Sequence, residues 1–116
     1  MCHVLIIEDE LLIALDIEDI LTRQGATSFD RVDTEQAAIA AANLRRPDLM
    51  TVDVVLKSGL GPAAVATIKR DHGEIPTIYI TATPDGCTSG EATQVLRKPI
   101  NETAVARAFQ DLRPVQ

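Results

Sequence analysis

A chain of 116 residues with 46% hydrophobic content has room for one domain, and enough apolar surface to exclude disorder. Its 17 acidic residues exceed its 11 basic ones, a net charge of −6 that argues against general binding to nucleic acid or anionic membranes, both of which need cationic surface. Cys2 and Cys87 form no CxxC pair and His3 and His72 have no ligand spacing, so neither a disulfide framework nor a zinc site is encoded and the thiols read as incidental.

The first apolar run, His3 to Ile7, meets Glu8-Asp9-Glu10 and is too short for a signal peptide or a membrane span, which points to a cytoplasmic protein. It reads as a strand. Glu10 to Gln24 carries Ile13, Ile17, Ile20 and Leu21 at helical spacing and stops at Gly25. On this helix Leu11 and Leu15 fall opposite the apolar stripe and are expected to be partly exposed. The more polar run near 27–32 suits an edge strand. Thr34 to Arg45 is alanine-rich, begins with an N-cap and ends before Pro47, the pattern of a closely packed helix.

Leu49 to Val52 and Thr77 to Ile80 are apolar at successive positions, as strands covered on both faces require. Between them, Pro62 suits the first turn of a helix over 63–71, and Gly73 follows it. Pro84 to Thr93 holds Pro84, Gly86 and Gly90 with little apolar periodicity, so any helix there is short or irregular. Gln94 to Leu96 is a fifth strand. Asn101 caps a last helix in which Val105, Ala108, Phe109 and Leu112 mark one face. Strands alternating with helices give a doubly wound α/β fold around a five-stranded parallel sheet.

In such a sheet the functional edge lies at the carboxyl ends of the strands. Strand one delivers Glu8 and Asp9 there, strand three Asp53, strand four Thr81, and strand five Lys98 followed by Pro99. Three converging carboxylates repel one another unless a cation sits among them, and an all-oxygen set favours Mg²⁺. A lysine and a hydroxyl at the same edge are groups that hold an oxyanion, so the site looks built for phosphoryl transfer. Taken singly, each residue has a plainer reading: the acids as attractions to positive helix ends, Thr81 as a strand residue, Lys98 as a surface charge, Pro99 as a loop stop.

With these motifs in order, Glu8-Asp9, Asp53 through Gly61, Thr81-Ala82 and Lys98-Pro99, the chain resembles a response-regulator receiver domain from His3 to about Leu112. It is also similar, over Ile75 to Pro99, to receivers of alphaproteobacterial general-stress-response regulators. The resemblance implies a flavodoxin-like (βα)5 fold, one receiver domain over 1–116, and a single-domain regulator in a two-component phosphorelay. It implies that Asp53 accepts a phosphoryl group from a histidine kinase or histidine phosphotransfer protein, in a Mg²⁺-dependent reaction. Asp9 and Asp53 would bind the metal, Glu8 largely through water, and the Val55 carbonyl would complete the protein's ligands. Lys98 would contact the acyl phosphate, Thr81 would move toward it, and the Lys98-Pro99 bond would be cis.

Three departures bear on output. Thr81 and Lys98 are only 17 positions apart, Val95 stands where many receivers carry a switching Tyr or Phe, and Ile100 replaces a common Phe. Signalling is expected through the receiver's own surface, with the 82–93 segment as the switch and no output enzyme, either as a phosphoryl shuttle or sink between a histidine kinase and another protein or as an adaptor whose phosphorylated face binds a downstream protein target. A haloacid-dehalogenase-like phosphatase using Asp53 as nucleophile is disfavoured, because Val55 stands where its acid/base Asp belongs. The alternative of a non-phosphorylated receiver-like binding module is opposed by the intact Asp53, Thr81 and Lys98. A dinucleotide-binding domain lacks its GxGxxG.

Overall fold

The computed structural model of the chain describes residues 1–86, 90 and 92–114. Five strands, β1 (His3–Ile7), β2 (Ser28–Val32), β3 (Leu49–Val52), β4 (Thr77–Thr81) and β5 (Thr93–Arg97), form one parallel sheet in the order β2-β1-β3-β4-β5. Helices α1 (Leu11–Arg23) and α4 (Glu102–Leu112) cover one face, and α2 (Glu35–Leu44) and α3 (Gly61–His72) the other.

The central strands are buried throughout and mostly apolar because each feeds two cores. Val4 and Ile6 of β1 join Ile78 and Ile80 of β4 beneath α1 and α4, with Ile17, Leu21 and Phe109. Leu5 and Ile7 turn the other way, to meet Val52, Ala38, Ala42 and Ile68 beneath α2 and α3. The alanines of α2 thus serve close packing, as expected. On α1 the stripe is buried at Ile17, Ile20 and Leu21 and half-buried at Ile13. Leu11 and Leu15 are 63% and 39% exposed, and Leu12, which the sequence reading did not single out, is 77% exposed. The edge strand β2 is polar for a reason absent from its own pattern. Buried His3 sits between Ser28 Oγ, 2.8 Å from Nδ1, and Asp30 Oδ2, 3.0 Å from Nε2. The carboxylate only accepts, so the ring proton facing it is on Nε2.

Local chemistry ends the helices as the sequence suggests. Thr34 Oγ1 accepts from the Ala37 N–H at 3.1 Å and Asn101 Oδ1 from the Ala104 N–H at 2.9 Å. Between β4 and β5 the only described helical structure is a 3₁₀ turn, Pro84–Gly86. The expected switch segment 82–93 lies partly outside the described residues, as does Cys87. No described helix is long and apolar enough to cross a membrane.

Gly61 carries a constraint that the Pro62 signal does not reveal. It opens α3 beneath the end of β3, where a Cβ would overlap the Asp53 carbonyl oxygen and lie 2.6 Å from Val52 Cγ1. Only glycine lets the backbone of α3 come this near to Asp53. Gly61→Ala is expected to lower unfolding free energy by about 1–3 kcal/mol, the usual cost of overpacking, seen as a reduced urea midpoint. An unchanged midpoint would mean that the two backbones are free to separate.

Candidate functional site

The site forms where four neighbouring strands end together. Just beyond the strand ends, single backbone bonds extend the sheet by one residue: Glu8 N–H donates to Val32 O, Asp53 N–H to Ile7 O and Lys98 N–H to Thr81 O, each at 2.9 Å. These bonds place Glu8, Asp53 and Lys98 at defined heights above β1, β3 and β5. Asp9 follows Glu8 into the same edge. Glu8, Asp9 and Asp53 each offer a carboxylate oxygen within 4.8 Å of the others.

Lys98 crosses the end of β4 to reach the acids. Its Nζ donates to Asp53 Oδ2 at 2.9 Å and lies 3.0 Å from Glu8 Oε1. The second contact has the range of an ion pair without the alignment of a hydrogen bond, and Glu8 Oε1 has no hydrogen-bond partner. The remaining oxygens are held by backbone: Asp53 Oδ1 accepts from Val54 N–H at 2.7 Å, and Glu8 Oε2 from Glu10 N–H at 3.1 Å. The Lys98-Pro99 bond is cis.

Burial dominates the electrostatics. Glu8 is 4% exposed, and loss of solvent pushes its carboxyl up to about 7, with the Asp53 charge adding to the rise. The Glu10 N–H and Lys98 pull the other way. For Lys98, burial favours the neutral amine, but the bond to Asp53 and the contacts with Glu8 outweigh it and hold the ammonium above its ordinary range. One ammonium faces three carboxylates, so the cluster retains negative charge for a further cation to neutralise. The donor set is all oxygen, and the buried Glu8 Oε1 still lacks a hydrogen bond. Both features fit a hard divalent ion such as Mg²⁺, with or without an intervening water.

The structure brings Glu8, Asp9, Asp53 and Lys98 together. Thr81 is buried at the adjacent strand end, but its hydroxyl is engaged elsewhere. Oγ1 accepts from Thr83 N–H at 3.0 Å and lies 3.2 Å from Thr83 Oγ1. Thr83 escaped the sequence reading, although a hydroxyl residue two positions after a strand-end threonine is a recognisable local turn signal. Val55 lies on the loop after Asp53, with its side chain exposed. A cleft of about 400 Å³ opens beside the acids, lined by Asp9, Leu11, Arg31, Asp33 and Lys57 among others.

Comparison with known proteins places this geometry in a family. Residues 4–110 match the response regulator receiver domain. The chain is 36% identical over 111 residues to the phyllosphere-induced regulator PhyR of Methylorubrum extorquens, covering 93% of this chain and 39% of that protein. It is 33% identical over 82 residues to the transcriptional regulatory protein PdtaR of Mycobacterium tuberculosis, covering 69% of this chain and 38% of that one. The chain therefore spans about two fifths of the length of these curated relatives. The solution structure of the PhyR receiver domain from Erythrobacter litoralis superposes with a TM-score of 0.85 at 31% identity, covering 99% of this chain and 95% of that one. The sequence and the five-stranded sheet are thus related to those of general-stress-response receivers of the PhyR type, and this chain belongs to the response regulator receiver domain family of two-component signalling.

Proposed function

We propose that the chain is a receiver whose Asp53 accepts a phosphoryl group from the phosphohistidine of a sensor kinase or phosphotransfer protein, in a Mg²⁺-dependent reaction. The observation that carries this reading is the convergence of Asp53, Glu8 and Asp9 on one point, with Lys98 Nζ 2.9 Å from Asp53. Asp53 enters as the carboxylate. As one of its oxygens bonds to phosphorus, the P–N bond breaks and its electron pair returns to the imidazole of the donor, so no proton leaves Asp53. Lys98 stays beside the acceptor and balances charge on the transferred group. Glu8, Asp9, Asp53 and the Val55 carbonyl are the residues that would hold Mg²⁺, which when bound offsets negative charge on the phosphoryl oxygens. Thr81 must exchange its bonds to Thr83 for one to the phosphoryl group, and that exchange pulls on the short turn after β4.

Donor docking has to bring a phosphohistidine within about 3–3.5 Å of Asp53, so it occurs at the mouth of the site. Leu11, Leu12 and Leu15 give α1 an exposed apolar edge on that rim, next to the cleft.

Four outcomes test this reading. Acetyl phosphate with Mg²⁺ should label a single peptide containing Asp53; label that persists in Asp53→Asn, or that survives EDTA undiminished, refutes it. Lys98→Met should slow labelling by about 10²-fold or more. The same variant should bind Mg²⁺ at least as tightly as the wild type in calorimetry, since the ammonium competes for the same oxygens; weaker binding would assign Lys98 to the metal site instead. Replacing Leu11 and Leu15 together with Arg should slow transfer from a phosphorylated kinase while leaving labelling by acetyl phosphate intact, and equal loss of both would remove the docking role.

A further inference from the structure

The loop from Asp53 to α3 is held by a residue outside the acidic cluster. Val55 and Leu60 face each other as an antiparallel pair. The bonds closing this small hairpin lie on either side of the pair, Leu56 N–H to Gly59 O at 3.4 Å and Gly61 N–H to Val54 O at 2.9 Å. In a pair of this kind, each residue's own N–H and C=O point outward, away from the partner. The Val55 carbonyl is therefore left outside the hairpin's own bonds, and the Leu60 N–H projects from the opposite strand. That N–H is taken by Glu35, the first residue of α2, whose Oε1 accepts it at 3.1 Å.

Glu35 grips the same loop at two further points. Its backbone N–H donates to Ser58 O at 3.0 Å, next to a parallel bridge between Thr34 and Ser58. Gly59, at φ +87°, gives the side chain its path: a Cβ there would lie 2.5 Å from Glu35 Cβ and 2.6 Å from Glu35 Oε1. A left-handed glycine with an acid packed against its bare face, on the loop that carries Val55, is more than a helix cap requires. Thr34 already caps α2 through Ala37 N–H.

We infer that Glu35 is a positioning residue for the metal site, clamping the Leu60 N–H so that the hairpin presents the Val55 carbonyl toward Glu8, Asp9 and Asp53. The inference rests on the proposed Mg²⁺-dependent reading of that site. Groups hydrogen-bonded directly to a ligand typically contribute 10–100-fold to metal affinity, and Glu35, which acts through Leu60 and the hairpin, belongs at the low end of that range.

Two conservative variants separate the clamp from plain electrostatics. Glu35→Asp keeps the negative charge at the positive end of α2 but is one methylene too short to reach Leu60. Glu35→Gln keeps the reach and an acceptor oxygen but removes the charge. Measured by calorimetry on the folded chain, Mg²⁺ affinity should fall about tenfold in Glu35→Asp and stay within about twofold of wild type in Glu35→Gln. In the metal-free proteins, hydrogen exchange at the Leu60 amide should quicken in the Asp variant alone. An unchanged Mg²⁺ affinity in Glu35→Asp, or an equal loss in Glu35→Gln, overturns the clamp. Wild-type protein that fails to bind Mg²⁺ at all would instead overturn the reading of the site, and the clamp's role with it.

Discussion

Three carboxylates gathered on one edge of a sheet are a source of repulsion, and much of this structure is the means of holding them there. Parallel pairing delivers Glu8 and Asp53 from neighbouring strands, and the backbone bonds just past the strand ends leave neither free to retreat. Lys98 offsets part of the charge, but it is one ammonium against three acids. Burial holds the Glu8 carboxyl at about 7, with the Asp53 charge a smaller contribution, and one oxygen of that group is left without a hydrogen bond. An all-oxygen pocket of this kind fits a hard divalent cation.

The two sides of the pocket are built differently. On the β3 side, the loop leaving Asp53 is closed into a hairpin, pressed against α3 at Gly61 and tied to the start of α2 through Glu35 and Ser58. On the β4 side, Thr81 leads into a bend and, among the described residues, the 3₁₀ turn Pro84–Gly86. Its hydroxyl is held by Thr83, two hydrogen bonds that involve only neighbours in sequence. The rigid side suits fixed ligands, whereas the side with local bonds suits a group that changes partners.

The main outline of the fold is legible in the residue pattern because burial imposes it. Strands covered on both faces are buried at every position and so largely apolar at successive ones, which is why β1, β3 and β4 stand out, whereas β2 reads as an edge. Helical phase separates the buried Ile17, Ile20 and Leu21 from the exposed Leu11 and Leu15. Leu12, about 125° from the centre of that stripe by the same phase, is exposed with them. The acids and Lys98 are legible for a topological reason: in a parallel sheet, whatever follows each strand arrives at the same edge.

What the sequence by itself determined, then, is the alternation of elements, the two-sided core and the set of groups delivered to the carboxyl edge, all of which follow from periodicity and chain direction. Only the tertiary structure decided that Lys98 reaches across β4 to both Asp53 and Glu8 and that His3 is the polar link to β2. It alone decided that Gly61 is glycine for the sake of the Asp53 carbonyl, and that Glu35 holds Leu60 across 25 positions of chain. These are contacts between backbone and side chains distant in sequence or across a sheet. They depend on strand order and on how closely two segments approach, quantities that no local pattern of residues encodes.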